Sequence, residues 1–102
     1  MKKIRAVPLS RLEAEERHAE AFAALGHLSR LQVFFLLVRA KDEVPVGEIA
    51  EATGIPGPTL NHHVEKLKRV GLVSTRRDGR YVLCTARREL VNELVRLLTA
   101  CC

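Results

Sequence analysis

Apolar residues recur three and four positions apart in five separate stretches of the chain, and this spacing predicts five helices. The predicted helices cover residues 11–25, 28–38, 46–53, 56–70 and 86–100. Ser10 is expected to cap the first helix, because its hydroxyl can accept a hydrogen bond from a free first-turn N–H. Gly26, Gly54 and Gly71 follow three of the helices, as glycine commonly does just past a helix end.

Two β-rich runs, 72–77 and 80–85, follow the fourth helix, and the Asp78-Gly79 pair between them is a strong hairpin signal. A short strand is also expected at 44–46. The order of helix, turn, helix and hairpin predicts a mostly α fold with a small antiparallel β-hairpin, a winged helix-turn-helix. Within one domain of 102 residues this gives a flexible arm at 1–10, the helix-turn-helix at 46–70 and the wing at 72–85.

The core is expected to come from one face of each helix. The fourth helix would bury Leu60, Val64 and Leu67. The second helix is apolar almost all round, with Phe34 and Phe35 on its main stripe, which is the pattern of a central helix. The apolar side of the first helix is expected to hold Leu12, Ala19, Phe22, Ala23 and Leu25.

The last helix, 86–100, carries a wide apolar surface near the end of the chain. Its two stripes are Leu90, Leu94 and Leu97, and Val91, Val95 and Leu98. The earlier helices should already fill so small a core. The stripes therefore predict a homodimer in which the first and last helices pack against their copies.

Positive charge is concentrated in the proposed helix-turn-helix and wing. The net charge of the chain is +5, and residues 54–85 carry six Lys or Arg against two Asp or Glu. This excess is typical of a surface that binds the phosphates of DNA. The residues expected to contact DNA are Thr59, Asn61, His62, Lys66, Arg76, Arg77 and Arg80. His63, beside Val64, is expected to pack in the core instead.

Several other classes of protein find no support in the sequence. A Cys-x5-Arg phosphatase-type loop starting at Cys84 would need arginine at position 90, which is Leu90. His62 and His63 diverge by about 100° on a helix and do not converge on one metal ion. No run approaches about 18 apolar residues, the length of a membrane span. The N-terminal segment is too short in apolar residues for a secretory signal, so a cytoplasmic, non-enzymatic protein is expected.

The motifs now named carry a resemblance to a known family. The stretch that begins at Gly47 reads GEIAEATGIPGPTLNHHVEKLKRVGLVSTRRDGRYV, and the one that begins at Phe22 reads FAALGHLSRLQVFFLLVRA, with Arg30 early in its helix. Together they resemble the ArsR/SmtB repressors of bacteria and archaea, over roughly residues 21–85. The resemblance implies a homodimer that binds an inverted-repeat operator in double-stranded DNA and leaves it when an inducer binds.

The resemblance also suggests which inducer to expect. The family's Cys-x-Cys site and the zinc site of its last helix have no counterpart here, since the corresponding helices lack cysteine and histidine. Cys101 and Cys102 resemble the vicinal cysteines of the arsenical-responsive branch, and trivalent arsenic prefers thiolate ligands. Two thiolates satisfy a monosubstituted arsenical, so methylarsenite is expected to be preferred over arsenite. Cys84 of the partner subunit is an optional third ligand, and no obligatory cofactor is expected.

Other interpretations of these residues stay open at this point. Free cysteines often act as small buried hydrophobic residues. Cys101 and Cys102, or Cys84, could instead oxidise in a repressor that senses thiol redox state or persulfides. A winged-helix module that binds proteins rather than DNA is disfavoured by the three arginines around Asp78-Gly79.

Overall fold

The computed structural model describes residues 13–100 as five helices and a three-stranded antiparallel sheet. The elements in chain order are α1 Glu16–Leu25, α2 Leu28–Arg39, β1 Val44–Pro45, α3 Val46–Thr53, α4 Gly57–Arg69, β2 Val73–Asp78, β3 Tyr81–Ala86 and α5 Arg88–Thr99. The predicted mostly α fold with a small hairpin is confirmed, including the short strand before α3. The predicted arm, the cap at Ser10, and Leu12, Cys101 and Cys102 lie outside the described residues.

Gly54 and Gly71 end helices α3 and α4 as predicted. Gly54 adopts φ +75°, and its N–H donates to the carbonyl of Ala50 at 2.8 Å. Gly71 adopts φ +89°, and the next N–H, of Leu72, donates to the carbonyl of Leu67 at 3.0 Å. This is the bond of a Schellman motif, which needs a left-handed residue that glycine adopts without strain.

Strand β3 lies between the other two strands of the sheet. It pairs with β1 at Val44 and Cys84, and with β2 as far as Asp78 and Tyr81. The hairpin loop is therefore Gly79 and Arg80, one residue later than the predicted pair. Gly79 adopts φ +65° at the first loop position, where a type II′ turn requires glycine.

One core joins all five helices and the sheet. The largest residues with almost no exposed surface are Val33, Ile49, Leu60, Leu67, Leu72, Val73 and Cys84. Leu60, Val64 and Leu67 are buried as predicted. Phe34 is buried, but Phe35 is 54% exposed. The prediction that Phe35 lies on the buried stripe of α2 is therefore wrong, because the core contacts α2 on one side only.

Helix α1 starts later than predicted and buries a different face. It begins at Glu16 rather than at 11, because Glu15 and His18 form a capping box there. The predicted inner residues Ala19 and Ala23 are exposed, and so is Phe22. The residues that α1 buries are His18, Ala21 and Ala24.

Within residues 13–100 no single helix is long and apolar enough to cross a membrane.

Helix α5 divides its two apolar stripes between core and surface. Leu90 and Leu94 are buried inside the subunit, so the expectation that the earlier helices already fill the core is wrong for this stripe. In the other stripe Val91 packs partly against the core, whereas Val95 is 51% and Leu98 63% exposed. Val95 and Leu98 are therefore the large apolar residues of α5 that the described part of the subunit leaves most available to another molecule.

Candidate nucleic-acid interface

Helix α4 presents a polar stripe on the side opposite its core residues. The exposed positions spaced three and four apart on that side are Pro58, His62, Glu65 and Arg69. Thr59 and Asn61 flank the stripe and are also exposed. The predicted outward position of His62 is therefore confirmed. Arg69 was not among the predicted contacts, although its spacing of seven from His62 places it on the same stripe.

Lys66 lies at the edge of this surface rather than on the stripe. Its side chain is half-buried and lines an open cleft of about 250 Å³ between α1, α2 and α4. Arg30 and Arg69 line the same cleft. Lys66 is therefore grouped with two other cations and is turned toward α1.

The wing carries three arginines in two different situations. Arg76 forms a two-point ion pair with Glu43, with Nε to Oε2 at 2.6 Å and Nη2 to Oε1 at 2.8 Å. This pairing lowers the pKa of Glu43 and raises that of Arg76. Arg77 and Arg80 are exposed, and neither has an ion-pair partner among residues 13–100. The wing thus presents two free guanidinium groups at its tip.

The exposed polar and basic residues of α4 and of the wing tip are together called the α4–wing face. Its members are Thr59, Asn61, His62, Arg69, Arg77 and Arg80. A convex helix with polar side chains can enter the major groove, and cations beside it can neutralise phosphates. Hydroxyl, amide and imidazole groups supply the hydrogen bonds that distinguish bases. The chemistry of this face is that of DNA binding.

The comparisons with known proteins agree with this geometry. The profile of a family described as a helix-turn-helix domain matches residues 25–76. The chain belongs to this helix-turn-helix family. It is 40% identical over 76 residues to the HTH-type transcriptional regulator KmtR of Mycobacterium tuberculosis, and the match covers 74% of this chain and 57% of KmtR.

Two further proteins match most of this chain. The HTH-type transcriptional regulator MJ1325 of Methanocaldococcus jannaschii is 31% identical, with 85% of this chain and 97% of that protein covered. The winged helix-turn-helix DNA-binding domain of Mb0332 from Mycobacterium bovis, described as homodimeric and possibly of the ArsR family, superposes with a TM-score of 0.70. It is 28% identical, and the match covers 81% of this chain and 76% of that domain. The relatives are transcriptional regulators, which agrees with the prediction that the chain is not an enzyme.

Of the three cysteines of this helix-turn-helix chain, the structure describes Cys84. Cys84 is fully buried in β3, and burial raises the pKa of its thiol to about 11. A thiol in that state is a poor metal ligand until the surrounding core opens. Cys101 and Cys102 lie outside the described residues. Between residues 13 and 100 no group of three potential ligand side chains could hold a metal ion.

His63 lies on the buried side of α4, opposite the exposed polar stripe. It is buried, as predicted, and its ring centroid lies 4.8 Å from that of His27 and 6.2 Å from that of His62. Burial, followed by the nearby His27 and Arg30, lowers the pKa of His63. The imidazole therefore stays neutral at physiological pH and can accept a hydrogen bond.

A second region, which we call the α1–α5 face, takes in an ion-pair network of Arg17, His18 and Glu93 and, elsewhere on the same two helices, the exposed apolar residues Phe22, Val95 and Leu98. The carboxylate of Glu93 in α5 accepts hydrogen bonds from two side chains of α1. The donors are Arg17 Nη1, at 3.1 Å, and His18 Nε2, at 3.2 Å. The other ring nitrogen of His18, Nδ1, accepts the backbone N–H of Glu15 at 2.9 Å. This network ties the start of α1 to the middle of α5. Phe22, Val95 and Leu98 remain exposed apolar side chains.

Proposed function

We propose that this protein is a homodimeric transcriptional repressor of the ArsR type that acts in the cytoplasm. It binds an inverted-repeat operator and is released when a trivalent arsenical is bound by Cys101 and Cys102. The observation that carries the DNA-binding part is the α4–wing face, where Arg77 and Arg80 lie free of carboxylates within the described part of the chain. Cations that the protein does not neutralise itself are available to phosphate.

The homodimer is supported by the exposed stripe of α5. Val95 and Leu98 are large apolar residues that the subunit leaves half or more exposed, and a second copy of α5 would cover them. The homodimeric state of the Mb0332 domain fits this arrangement. A two-fold dimer places two α4 helices in successive major grooves, about 10 base pairs apart, which is why the operator should be an inverted repeat.

The inducer part rests on the chemistry of the cysteines. Cys101 and Cys102 are adjacent in sequence directly after Ala100, and a soft trivalent arsenic centre prefers thiolates. Burial keeps the Cys84 thiol protonated and enclosed, which disfavours it as a third ligand. A site of two thiolates accommodates methylarsenite fully and leaves arsenite one ligand short. Organic arsenicals are therefore the preferred inducers.

The test begins with selection of duplexes from a random library by the full chain. Recovery of an inverted repeat supports the repressor, and recovery of no preferred sequence contradicts it. The selected duplex is then titrated with methylarsenite and with arsenite on wild type, Cys84→Ala, Cys101→Ser and Cys102→Ser proteins. Release by methylarsenite in wild type and Cys84→Ala, but in neither of the serine variants, is the expected result.

The other outcomes separate the alternatives. If Cys84→Ala abolishes the response to both arsenicals, the two-thiolate site is wrong and a three-thiolate site replaces it. If no arsenical releases the duplex but hydrogen peroxide or a persulfide does, the protein senses thiol oxidation instead. Both results would leave operator binding in the absence of inducer intact, because none of the cysteines is among the residues of the α4–wing face.

A further inference from the structure

We propose that Arg30, Lys66 and Arg69 form a phosphate-binding site in the cleft between α1, α2 and α4. The site would hold a backbone phosphate of DNA beside the recognition helix. This proposal rests on the proposed DNA-binding function. It adds a third region of contact with DNA to the two already described, the stripe of α4 and the wing. The three cations come from two helices, and they line one open cleft of about 250 Å³.

The protein itself fixes the guanidinium of Arg30. Its Nε donates to the carbonyl of Ala24 at 2.7 Å, and its Nη1 lies 3.4 Å from Nδ1 of His63. Ala24 is in the last turn of α1, where the free carbonyls carry partial negative charge and favour a cation. An arginine that is already ordered loses little side-chain entropy when it binds a phosphate.

The buried His63 supplies the second of these two contacts. A neutral imidazole offers an acceptor nitrogen toward Arg30, whereas an imidazolium would repel it. The ring of His63 also lies near two other imidazoles, with its centroid 4.8 Å from that of His27 and 6.2 Å from that of His62. His63 is in this sense a positioning residue for Arg30, although it does not reach the cleft.

The charges of the cleft are not balanced within the described part of the chain. No carboxylate between residues 13 and 100 lies within ion-pair distance of Arg30, Lys66 or Arg69. Glu20 lines the same cleft and is its one acidic member, so the four side chains sum to two positive charges. A net positive and partly enclosed site favours an anion over water.

The length of α4 explains why this anion would be a phosphate of the backbone. The helix has 13 residues, so it is about 20 Å long, whereas the major groove is only about 8.5 Å deep. If the first turns, with Thr59 and His62, enter the groove, Lys66 and Arg69 stand near its rim. Arg69 also continues the exposed stripe of His62, so the cleft opens beside the surface that meets the DNA.

The first experiment measures affinity and its salt dependence by fluorescence anisotropy. The probe is a mixed-sequence duplex of about 30 base pairs, in about 50 to 300 mM KCl. Lys66→Gln and Arg69→Gln should each weaken binding about threefold to tenfold and lower the salt slope by about 1 for every subunit bound. Glu20→Gln should strengthen binding about twofold to threefold, because it removes the one negative charge that the described residues contribute to the cleft.

Three controls keep this result interpretable. Arg96→Gln removes an exposed cation from α5 and should leave binding unchanged. Arg30→Lys keeps the charge but loses the fixed two-point geometry, so affinity should fall while the salt slope stays the same. Thermal unfolding of each variant checks that the fold is intact.

Two outcomes would overturn the proposal in different ways. If the Lys66 and Arg69 variants bind as wild type while Arg77→Gln is weakened, the cleft does not hold DNA, although the DNA-binding function stands. If no variant and not even the wild type binds the duplex, the proposed function itself has failed.

The second experiment distinguishes DNA phosphate from free phosphate. Inorganic phosphate is titrated at constant ionic strength while amide NMR shifts of Arg30, Lys66 and Arg69 are followed. The expected result is weak binding, in the millimolar range, which the duplex displaces. Binding that is a thousandfold tighter and that releases the duplex would make the cleft a site for a small phosphorylated effector, and would overturn the assignment to the DNA backbone.

Discussion

The α4–wing face and the α1–α5 face both carry charged side chains, but they differ in how those charges are compensated. On the α1–α5 face, Arg17 is held by Glu93 and Glu15, and Glu93 also accepts from His18. On the α4–wing face, Arg77 and Arg80 have no such partner within residues 13–100. The first arrangement fixes one helix to another, and the second leaves cations available to an external anion.

Exposed apolar residues are distributed between the two faces in the opposite way to uncompensated charges. The α1–α5 face exposes Val95 and Leu98, whereas the exposed stripe of α4 carries Pro58, a polar side chain and two charged ones. Exposed apolar residues on helices whose ion-pair network is compensated internally suit contact with another protein surface, since that network adds no unpaired charge on burial. Each face thus matches one of the two partners proposed above, a second subunit and DNA.

The largest expected effect comes from breaking the α1–α5 face. Val95→Glu or Leu98→Glu would place a charge without a partner in the proposed dimer interface. Sedimentation should then show monomers. Operator affinity should fall at least about a hundredfold, because the second half-site contact is no longer intramolecular. A variant that stays dimeric would place the interface elsewhere.

The matched control is Asn92→Glu, which adds the same charge to the polar side of α5. It should leave both the dimer and the operator affinity unchanged. Leu94 is unsuitable for this test, because it is 3% exposed within the single subunit. Leu94→Glu would unfold the chain whether or not the protein dimerises.

The next largest effect should come from the free cations of the wing. Arg77→Gln or Arg80→Gln should weaken operator binding by about fivefold to tenfold in about 100 mM salt. A dimer carries the change twice, so the slope of log affinity against log salt should fall by about 1.8. The loss should be equal on operator and on unrelated duplexes. A loss restricted to the operator would show that these arginines read bases.

The ion-pair network of the α1–α5 face should make the stability of the fold depend on pH. Hydrogen bonds from Arg17, and then from His18, lower the pKa of Glu93 to about 2. A carboxyl with a lowered pKa stabilises the fold above its ordinary pKa of 4.5, and this stability is lost as the pH falls toward 2. Urea midpoints of Glu93→Gln should thus lie below wild type at pH 6, and the two should converge near pH 2.

Glu89→Gln provides the comparison on the same helix. Its carboxylate is exposed and lies 3.7 Å from Arg87, outside the network of α1. Its urea midpoints should follow those of wild type across the whole pH range. If Glu93→Gln behaves in the same way, the contact between α1 and α5 contributes nothing to stability.

The helix-turn-helix itself was predictable because its signals are local. The bounds of α3 were predicted correctly, and the left-handed glycines Gly54 and Gly71 end their helices where the sequence indicated. Leucine spacing in α4 found its buried side. The hairpin was displaced by one residue, because Asp78 pairs with Tyr81 and leaves Gly79 and Arg80 in the loop.

What could not be predicted depends on contacts between distant residues. Alanines on either side of α1 look alike in sequence, and burial of His18 depends on Glu93, 75 positions away. The pairing of Arg76 with Glu43 spans 33 positions, and nothing in the wing sequence indicates it. Periodicity therefore placed the elements but did not show which charges the fold would neutralise. The roles of the predicted DNA contacts and cysteines stay predictions.

The smallest expected effect concerns Arg76, the wing arginine whose charge is compensated within the protein, as the charges of the α1–α5 face are. Arg76 is already paired with Glu43 at 2.6 Å, so Arg76→Gln should change operator affinity by less than about twofold, well below the change for Arg77→Gln. Glu43→Gln frees the same guanidinium and should strengthen binding by about twofold to threefold, with a steeper salt slope. The double variant should return to wild type, because neither charge is then present. Anisotropy titrations of the four proteins at two salt concentrations measure this cycle. If Arg76→Gln weakens binding as much as Arg77→Gln does, Arg76 leaves Glu43 for a phosphate when DNA binds, and compensation in the free protein does not decide which arginines contact DNA.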